Sequence, residues 1–496
     1  MSERKSGILL HISSLPGIYG IGTLGSEAYD FIDFLISINH SLWQILPLGP
    51  TGYGDSPYQC FSAFAGNPLL ISLEKLVDYG YLDKKEILLD EKVDTHTVDY
   101  GYLYEKKYPV LWSAFKNFSL NKERDFFDFC EKNSFWLDDY AIFMTIKKVY
   151  PVAWYQWDEN LKRKKELDVE KIYPAAKEVV DFYKFLQYCF FRQWKELKSY
   201  ANGKGVQIIG DIPIFVAMDS SDVWANPEFF EIDENLRPIR VAGVPPDYFS
   251  ATGQLWGNPL YRWGKLKENN YEWWIKRFII AFEMYDFVRI DHFRGFCGYW
   301  AIPYGEKTAI NGKWECGPGS ELFDTLSSMF KNPPVIAEDL GLITEDVVNL
   351  REKYNFPGMK VLQFGFEDGP LSEHLPHNYH NANFVVYSGT HDNDTLSGWL
   401  KHLDEKKKSF LLSYLGMKGI KDEKEICKEI VRLAYSSVAK FAIIPLQDLL
   451  FLDSSARMNT PGTLGNNWRW KLSKGQIEKS DFDWVKEFVL LYNRKS

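Results

Sequence analysis

The chain lacks any uninterrupted apolar run of membrane-spanning length: the stretch FAIIPLQDLLFL from Phe441 is broken by Pro445, Gln447 and Asp448. Cysteine is scarce. The six residues at 60, 130, 189, 297, 316 and 427 contain no CxxC pair, which argues against a disulfide scaffold and a thiolate metal site and fits reduced thiols. Histidine is also sparse, nine in 496 residues, and its one cluster, HLPHNYH from His374 to His380, is interrupted by Pro376 and holds no acid or thiol. It reads as a polar loop, so no metal is expected. Positive charge is not in excess: the net charge is −9 with both signs intermixed, which excludes the basic footprint of a nucleic-acid or anionic-membrane binder. The opening MSERKSGILLHISSLPG offers too short an apolar run before His11 for a secretory core, so a cytoplasmic protein is expected. No internal repeat or low-complexity tract occurs.

Aromatic residues are abundant: 17 Trp, 29 Tyr and 35 Phe make up 16% of the chain. Much of this is core, but Trp and Tyr beyond packing needs also stack on flat ligand faces such as sugar rings. The 45% hydrophobic and 25% charged composition is that of a globular protein. The length suits roughly three domains of about 150 residues, or one large barrel with insertions.

Eight short apolar runs recur along the chain: GILLH from Gly7, QILPL from Gln44, QIIGDIPI from Gln207, FVRIDH from Phe287, VIAEDL from Val335, KVLQF from Lys360, FVVYSGTHD from Phe384 and FAIIPLQD from Phe441. Between them lie helix-like stretches such as SEAYDFIDFLISI and TEDVVNLREKY, whose leading Ser or Thr and following acids resemble helix caps. Strand then helix, repeated, predicts an α/β fold: a (β/α)₈ barrel spanning the whole chain. A doubly wound open sheet is the alternative. The uneven spacing predicts large subdomain insertions in the βα loops. One, mostly helical, follows strand 2 over about residues 50–200; the other, rich in loops, follows strand 3 over about residues 215–285. Barrel active sites lie at strand C-termini, so both are expected to wall one cleft.

Candidate chemistry collects at the strand ends: Asp211, Asp291, His292, Glu338, Asp339, His391 and Asp392. A single strand-end acid can equally cap the next helix. Several together converge on the barrel axis. Arg289 and Asp291 are two apart and so share one strand face, where the guanidinium is expected to hold Asp291 ionised. An ionised carboxylate beside a second carboxyl kept protonated, supplied by Glu338, is what a retaining glycosidase uses.

The ordered motifs GPTGYGDSPYQ, GDIPI, GVPPDYFSATGQLWGNPLY, VRIDHFRG, AEDLG, YSGTHDNDT and RMNTPGT with the following NNW resemble those of the amylomaltases, the 4-alpha-glucanotransferases also called disproportionating enzymes, across nearly the whole chain. The resemblance implies retaining transfer of α-1,4-glucan segments between maltooligosaccharides, amylose and related glucans, without a cofactor. Closure of long chains into cycloamyloses is an option it leaves open. It implies Asp291 as nucleophile, Glu338 as acid/base and Asp392 as transition-state stabiliser. Tyr58, Asp211, Tyr248, Phe249, Gln254, Trp256, Arg289, His391, Asn459 and Pro461 are implied as substrate contacts. Gly243 to Gly253 resembles a mobile loop covering the glucan, and Asn459 to Gly462 one facing it. Cys60 departs from the pattern, standing where the family has serine. An α-amylase-like hydrolase and a non-catalytic glucan-binding scaffold are the competing readings; monomer and homodimer are both compatible with the sequence.

Overall fold

Eight parallel strands carry the fold in the computed structural model, which describes residues 4–52, 54–87, 96–119, 123–164, 172–246, 250–463 and 465–495. In chain order these are β1 (Lys5–Leu9), β2 (Leu42–Gln44), β3 (Gln207–Pro213), β4 (Phe287–Asp291), β5 (Val335–Ala337), β6 (Gly358–Val361), β7 (Phe384–Tyr387) and β8 (Phe441–Pro445). They pair in the order β6, β7, β8, β1, β2, β3, β4, β5. Between β5 and the start of β6, the amide of Ala337 donates to the Pro357 carbonyl at 2.9 Å, bringing the ends of the sheet together. The result is the expected (β/α)₈ barrel.

Strand alternation sorts the side chains. In β4, Val288 and Ile290 are fully buried against the helical layer. Phe287 packs instead inside the barrel with Leu9, Leu42, Ile209, Ile336, Met359, Val385 and Ile443. Its ring lies 5.1 Å from that of Phe441, part of an apolar interior below the polar end. The same alternation turns Arg289 and Asp291 inward above Phe287, and Asp211 inward above Ile209.

Two strands differ from their sequence runs. The second ends at Gln44, where the run begins; Ile45 still donates to Ile209 O at 2.9 Å, but Pro47 has no amide to continue the ladder. The sixth stops at Val361, and Leu362–Asp368 turns into helix instead. Helices occupy Ser26–Ser37 and Glu345–Lys353, but neither has the expected side-chain cap: Gly25 and Thr344 hold the N-cap positions without a side-chain hydrogen bond.

Between β2 and β3 the chain forms the helices Tyr100–Ser119, Ser134–Val149 and Ala176–Gly203, among shorter ones. The last of these holds the β2 loop in place through two buried glutamines. Gln187 accepts from Gly66 N at 2.7 Å and donates to Gly66 O at 2.9 Å. Gln193 does the same at Ser72, at 2.7 and 3.1 Å. Position 66 must be glycine, because a Cβ there would lie 2.0 Å from the Phe190 ring. Segments after β3 and β4 form a four-stranded antiparallel sheet in the order Gln254–Pro259, Arg240–Val244, Gly298–Pro303, Lys313–Cys316. No helix among the described residues is long and apolar enough to cross a membrane.

Candidate active site

The polar end of the barrel is organised around Arg289. Its Nη1 contacts Asp211 Oδ2 at 2.6 Å on β3, and its Nη2 contacts Asp291 Oδ1 at 3.0 Å on its own strand. Asp211 and Arg289 are direct partners in the β3–β4 register. Arg289 is 3% exposed, so this is a desolvated ion pair in which loss of either partner strands a buried charge. Its Nε points at Met359 Sδ, 3.4 Å away on β6.

Asp211 Oδ2 also accepts from the Tyr58 hydroxyl at 2.8 Å, and the same hydroxyl lies 3.0 Å from His391 Nε2. The Tyr58 and His391 rings stack at 5.3 Å and 15°, with Trp468 beside both. Burial keeps the His391 imidazole below its ordinary value, opposed by the charge of Asp392. Asp392 Oδ2 lies 3.4 Å from His391 Nε2, while its Oδ1 accepts from Asn459 Nδ2 at 2.6 Å. Arg457 donates to the Asp392 carbonyl at 2.6 Å and to the Asn459 carbonyl at 2.8 Å, tying the segment after β8 to the end of β7.

On the other side, β4 and β5 pair Ile290 with Ala337, and Glu338 N continues the ladder to Ile290 O at 3.1 Å. The next register step sets Asp291 beside Glu338. Glu338 Oε2 accepts from His292 N at 2.6 Å and Oε1 from Leu340 N at 2.9 Å. The first of these bonds accompanies a left-handed backbone at His292 (φ 53°), where the chain turns out of the strand. The His292 ring meets Trp256 edge-on at 4.8 Å, and Trp256 Nε1 donates to Gln254 Oε1 at 3.1 Å.

Burial pushes the Asp291 carboxyl up to about 8, against the pull of Arg289 and with the charges of Glu338, Asp211 and Asp392 adding to the rise. Burial also raises Glu338, opposed by Arg289 and the two backbone amides. Arg289 thus favours the ionised form of Asp291, as its spacing suggests, while desolvation and the neighbouring carboxylates push the same carboxyl up.

Of the residues named from the sequence, Asp291, Glu338, Asp392, Tyr58, Asp211, Arg289, His391 and Asn459 are joined by these contacts. Gln254 and Trp256 approach through His292. Pro461 lies exposed in a turn two residues beyond Asn459. Tyr248 and Phe249 lie outside the described residues. Gly253, just before the strand Gln254–Pro259, has φ 68°, and a Cβ there would sit 2.4 Å from Val244 O. Sequence reasoning did not single out Arg457 and Trp468, although both fall within the RMNTPGT and NNW motifs. No group of His, Cys, Asp or Glu suited to hold a metal occurs among the described residues.

A family profile described as 4-alpha-glucanotransferase matches residues 10–477. The 4-alpha-glucanotransferase of Thermus thermophilus is 49% identical over 482 residues, covering 96% of each chain. That of Aquifex aeolicus is 45% identical over 494 residues, covering 99% of this chain and 100% of its own. Among solved structures, the amylomaltase from Streptococcus agalactiae in complex with acarbose superposes with a TM-score of 0.95 at 42% identity, covering all of both chains.

Proposed function

This chain belongs to the 4-alpha-glucanotransferase family and is a glycosyltransferase of that type, and from this premise we propose how its site works. The reaction is transfer of an α-1,4-glucan segment from a donor maltooligosaccharide or amylose to the 4-hydroxyl of an acceptor glucan or glucose, by double displacement. One observation carries the reading: Asp291 and Glu338 occupy adjacent register positions on neighbouring parallel strands, both facing the barrel mouth. Strands lie about 4.8 Å apart, which puts both side chains within reach of one glycosidic bond; retaining chemistry uses carboxyl groups about 5 to 5.5 Å apart.

In the first displacement Asp291 attacks the anomeric carbon, forming an ester, while Glu338 gives its proton to the departing glycosidic oxygen. Arg289 and the positive charge developing on the sugar both favour an ionised Asp291, and Glu338 carries the proton that the departing oxygen takes. The acceptor 4-hydroxyl then gives its proton to Glu338 and attacks the anomeric carbon, breaking its bond to Asp291 and releasing the carboxylate, and this second inversion restores the configuration. Asp392, fixed by Asn459 and adjoining His391, holds sugar hydroxyls beside the charged centre, a contact that tightens as charge develops. Asp211, Tyr58 and Arg289 form the polar wall of the same subsite.

Water at about 55 M competes with an acceptor at roughly 1 mM, so preference for sugar requires roughly 6 to 7 kcal/mol of selective stabilisation. Trp256 and the loop from Gly243 to Gly253 are the candidates for supplying it through acceptor stacking and water exclusion. Cycloamylose formation is the same second step with the donor's own distal 4-hydroxyl as acceptor. We place the protein in the cytoplasm, in keeping with six cysteines that show no paired spacing.

The test is incubation with maltotriose alone, with products resolved by chromatography over time. Glucose together with maltopentaose and longer chains is expected. Only glucose and maltose would make the protein a hydrolase, and no turnover would make it a glucan-binding scaffold.

A further inference from the structure

Two histidines at the polar end of the barrel border one pocket, and of the two only His391 touches the groups around the acids. His11 lies two residues past the end of β1, and His391 four past the end of β7. Both line a pocket of about 420 Å³ together with Thr390, Gln447 and Arg457. His11 is 9% exposed and His391 8%, so each ring is almost wholly desolvated. Burial, helped by the charge of His391, holds the His11 imidazole down to about 3, and burial also lowers His391, which leaves both rings neutral at pH 7.

The hydrogen bonds around each ring decide which nitrogen carries the proton. In His11, Nδ1 accepts from the Leu46 amide at 3.3 Å, so Nε2 holds the hydrogen and is a donor. His391 is the complement. The Tyr58 hydroxyl gives its one hydrogen to Asp211 at 2.8 Å and so offers His391 Nε2, 3.0 Å away, a lone pair. Asp392 Oδ2, 3.4 Å from the same nitrogen, is an acceptor as well. His391 Nε2 is therefore the N–H, and Nδ1 is the acceptor. Neither His11 Nε2 nor His391 Nδ1 has a protein hydrogen bond among the described residues. Other donors around the pocket point elsewhere: the Thr390 hydroxyl to Asn393, Gln447 to the Ala456 carbonyl, and Arg457 to the carbonyls of Asp392 and Asn459. One donor and one acceptor thus border the same polar pocket, which is large enough for a bridging water.

We propose that His11 is a positioning residue for the transfer reaction: its Nε2–H acts through one water on His391 Nδ1 and holds His391 in the tautomer whose Nε2–H faces Tyr58 and Asp392. What this does for the sugar rests on the function proposed above; the tautomer itself does not. A water that accepts from His11 is polarised into a better donor toward Nδ1. The opposite tautomer would set a bare Nε2 against the Tyr58 oxygen and the Asp392 carboxylate, with no hydrogen between them. Asp392 would then lose a contact that holds it beside the reacting centre.

The test exploits the different reach of two amides. His11→Asn sets an oxygen near the place of Nδ1 and keeps an acceptor for Leu46, whereas His11→Gln sets an amide near the place of Nε2 and keeps the donor. His11→Asn is expected to lower kcat on maltotriose about tenfold with KM within about twofold, and His11→Gln to recover to within about threefold of the wild type. A purely structural role predicts the reverse order, and that order overturns the proposal, as do equal losses in both variants. A second reading needs no turnover and no glutamine variant. In protein isotopically labelled at its nine histidines, His391 is assigned in nitrogen NMR by the signals lost in His391→Gln. It is expected to show a bare Nδ1 and a protonated Nε2 in the wild type, and a mixture of tautomers in His11→Asn. A protonated Nδ1 in the wild type, or an unchanged His391 spectrum in His11→Asn, overturns the proposal. Failure of the wild type to disproportionate maltotriose would overturn the proposed function instead, and the spectra would still judge the role of His11.

Discussion

Asp291 and Glu338 stand one register step beyond the Ile290–Ala337 pair, on parallel strands that both direct these side chains to the barrel mouth. Two carboxyls that would be distant on an open chain are thereby held side by side in a buried setting that raises both. The proposed chemistry needs this pairing, and each partner fails in its own way when removed.

Asp291→Asn is expected to lower maltotriose disproportionation by about 10⁴-fold or more, since no ester can form. Glu338→Gln is expected to cost about 10²- to 10⁴-fold on maltotriose but far less for ester formation from maltosyl fluoride, whose leaving group needs no proton. Pre-steady-state fluoride release from each variant separates the two roles. Equal losses on both donors would refute an acid role for Glu338.

Arg289 serves two carboxylates with one guanidinium, so a shorter ammonium cannot reproduce the pair of contacts. Arg289→Met strands buried Asp211 without its ion pair and is expected to destabilise the fold by about 3 to 5 kcal/mol, read from urea unfolding. Arg289→Lys should fold closer to normally yet lose most of its kcat. Wild-type kcat in Arg289→Lys would show that the fork geometry is dispensable.

Asn459 positions Asp392 through the 2.6 Å bond to Oδ1. Asn459→Ala is expected to reduce kcat on maltotriose by about 10²-fold with a smaller change in KM. Asn459→Asp should be worse, because it sets a second negative charge against Asp392. An aspartate variant more active than the alanine one would contradict the assignment.

Trp256 approaches the reacting centre through its edge contact with His292. Trp256→Ala is expected to lower the ratio of transfer to hydrolysis about tenfold, by weakening acceptor binding without disturbing the acids. The ratio is read as maltopentaose formed against total reducing ends released. An unchanged ratio would take Trp256 out of acceptor selection.

Asp448 is buried behind β7, accepting from Ser388 Oγ at 2.7 Å and Leu396 N at 2.8 Å, and burial pushes its carboxyl from 3.8 up to about 7. Between those values the unfolded chain has released this proton and the folded chain still holds it. Stability from this group is therefore full at low pH and declines as pH rises toward 7, with a limiting slope of about 1.4 kcal/mol per pH unit. Urea midpoints across pH 4 to 8 should fall less steeply for Asp448→Asn than for the wild type. Parallel curves would mean that the carboxyl is already ionised in the folded state.

By itself the sequence determined the barrel, because eight apolar runs separated by helical stretches leave few other ways to bury alternating strand faces. It also determined that Arg289 and Asp291 share a strand face, a consequence of their spacing of two, and its ordered motifs picked out the family and most of the polar cluster. What it could not supply is whatever depends on residues distant in the chain becoming neighbours. The clamp of Gln187 and Gln193 on the β2 loop, the grip of Arg457 and Asn459 on Asp392, and the placement of Trp468 beside Tyr58 join segments 65 or more residues apart in the chain. The protonation of the acid pair likewise belongs to the tertiary structure. A neighbouring guanidinium, visible in the sequence, argues for an ionised Asp291; desolvation, which depends on everything packed around the strand ends, pushes its carboxyl the other way.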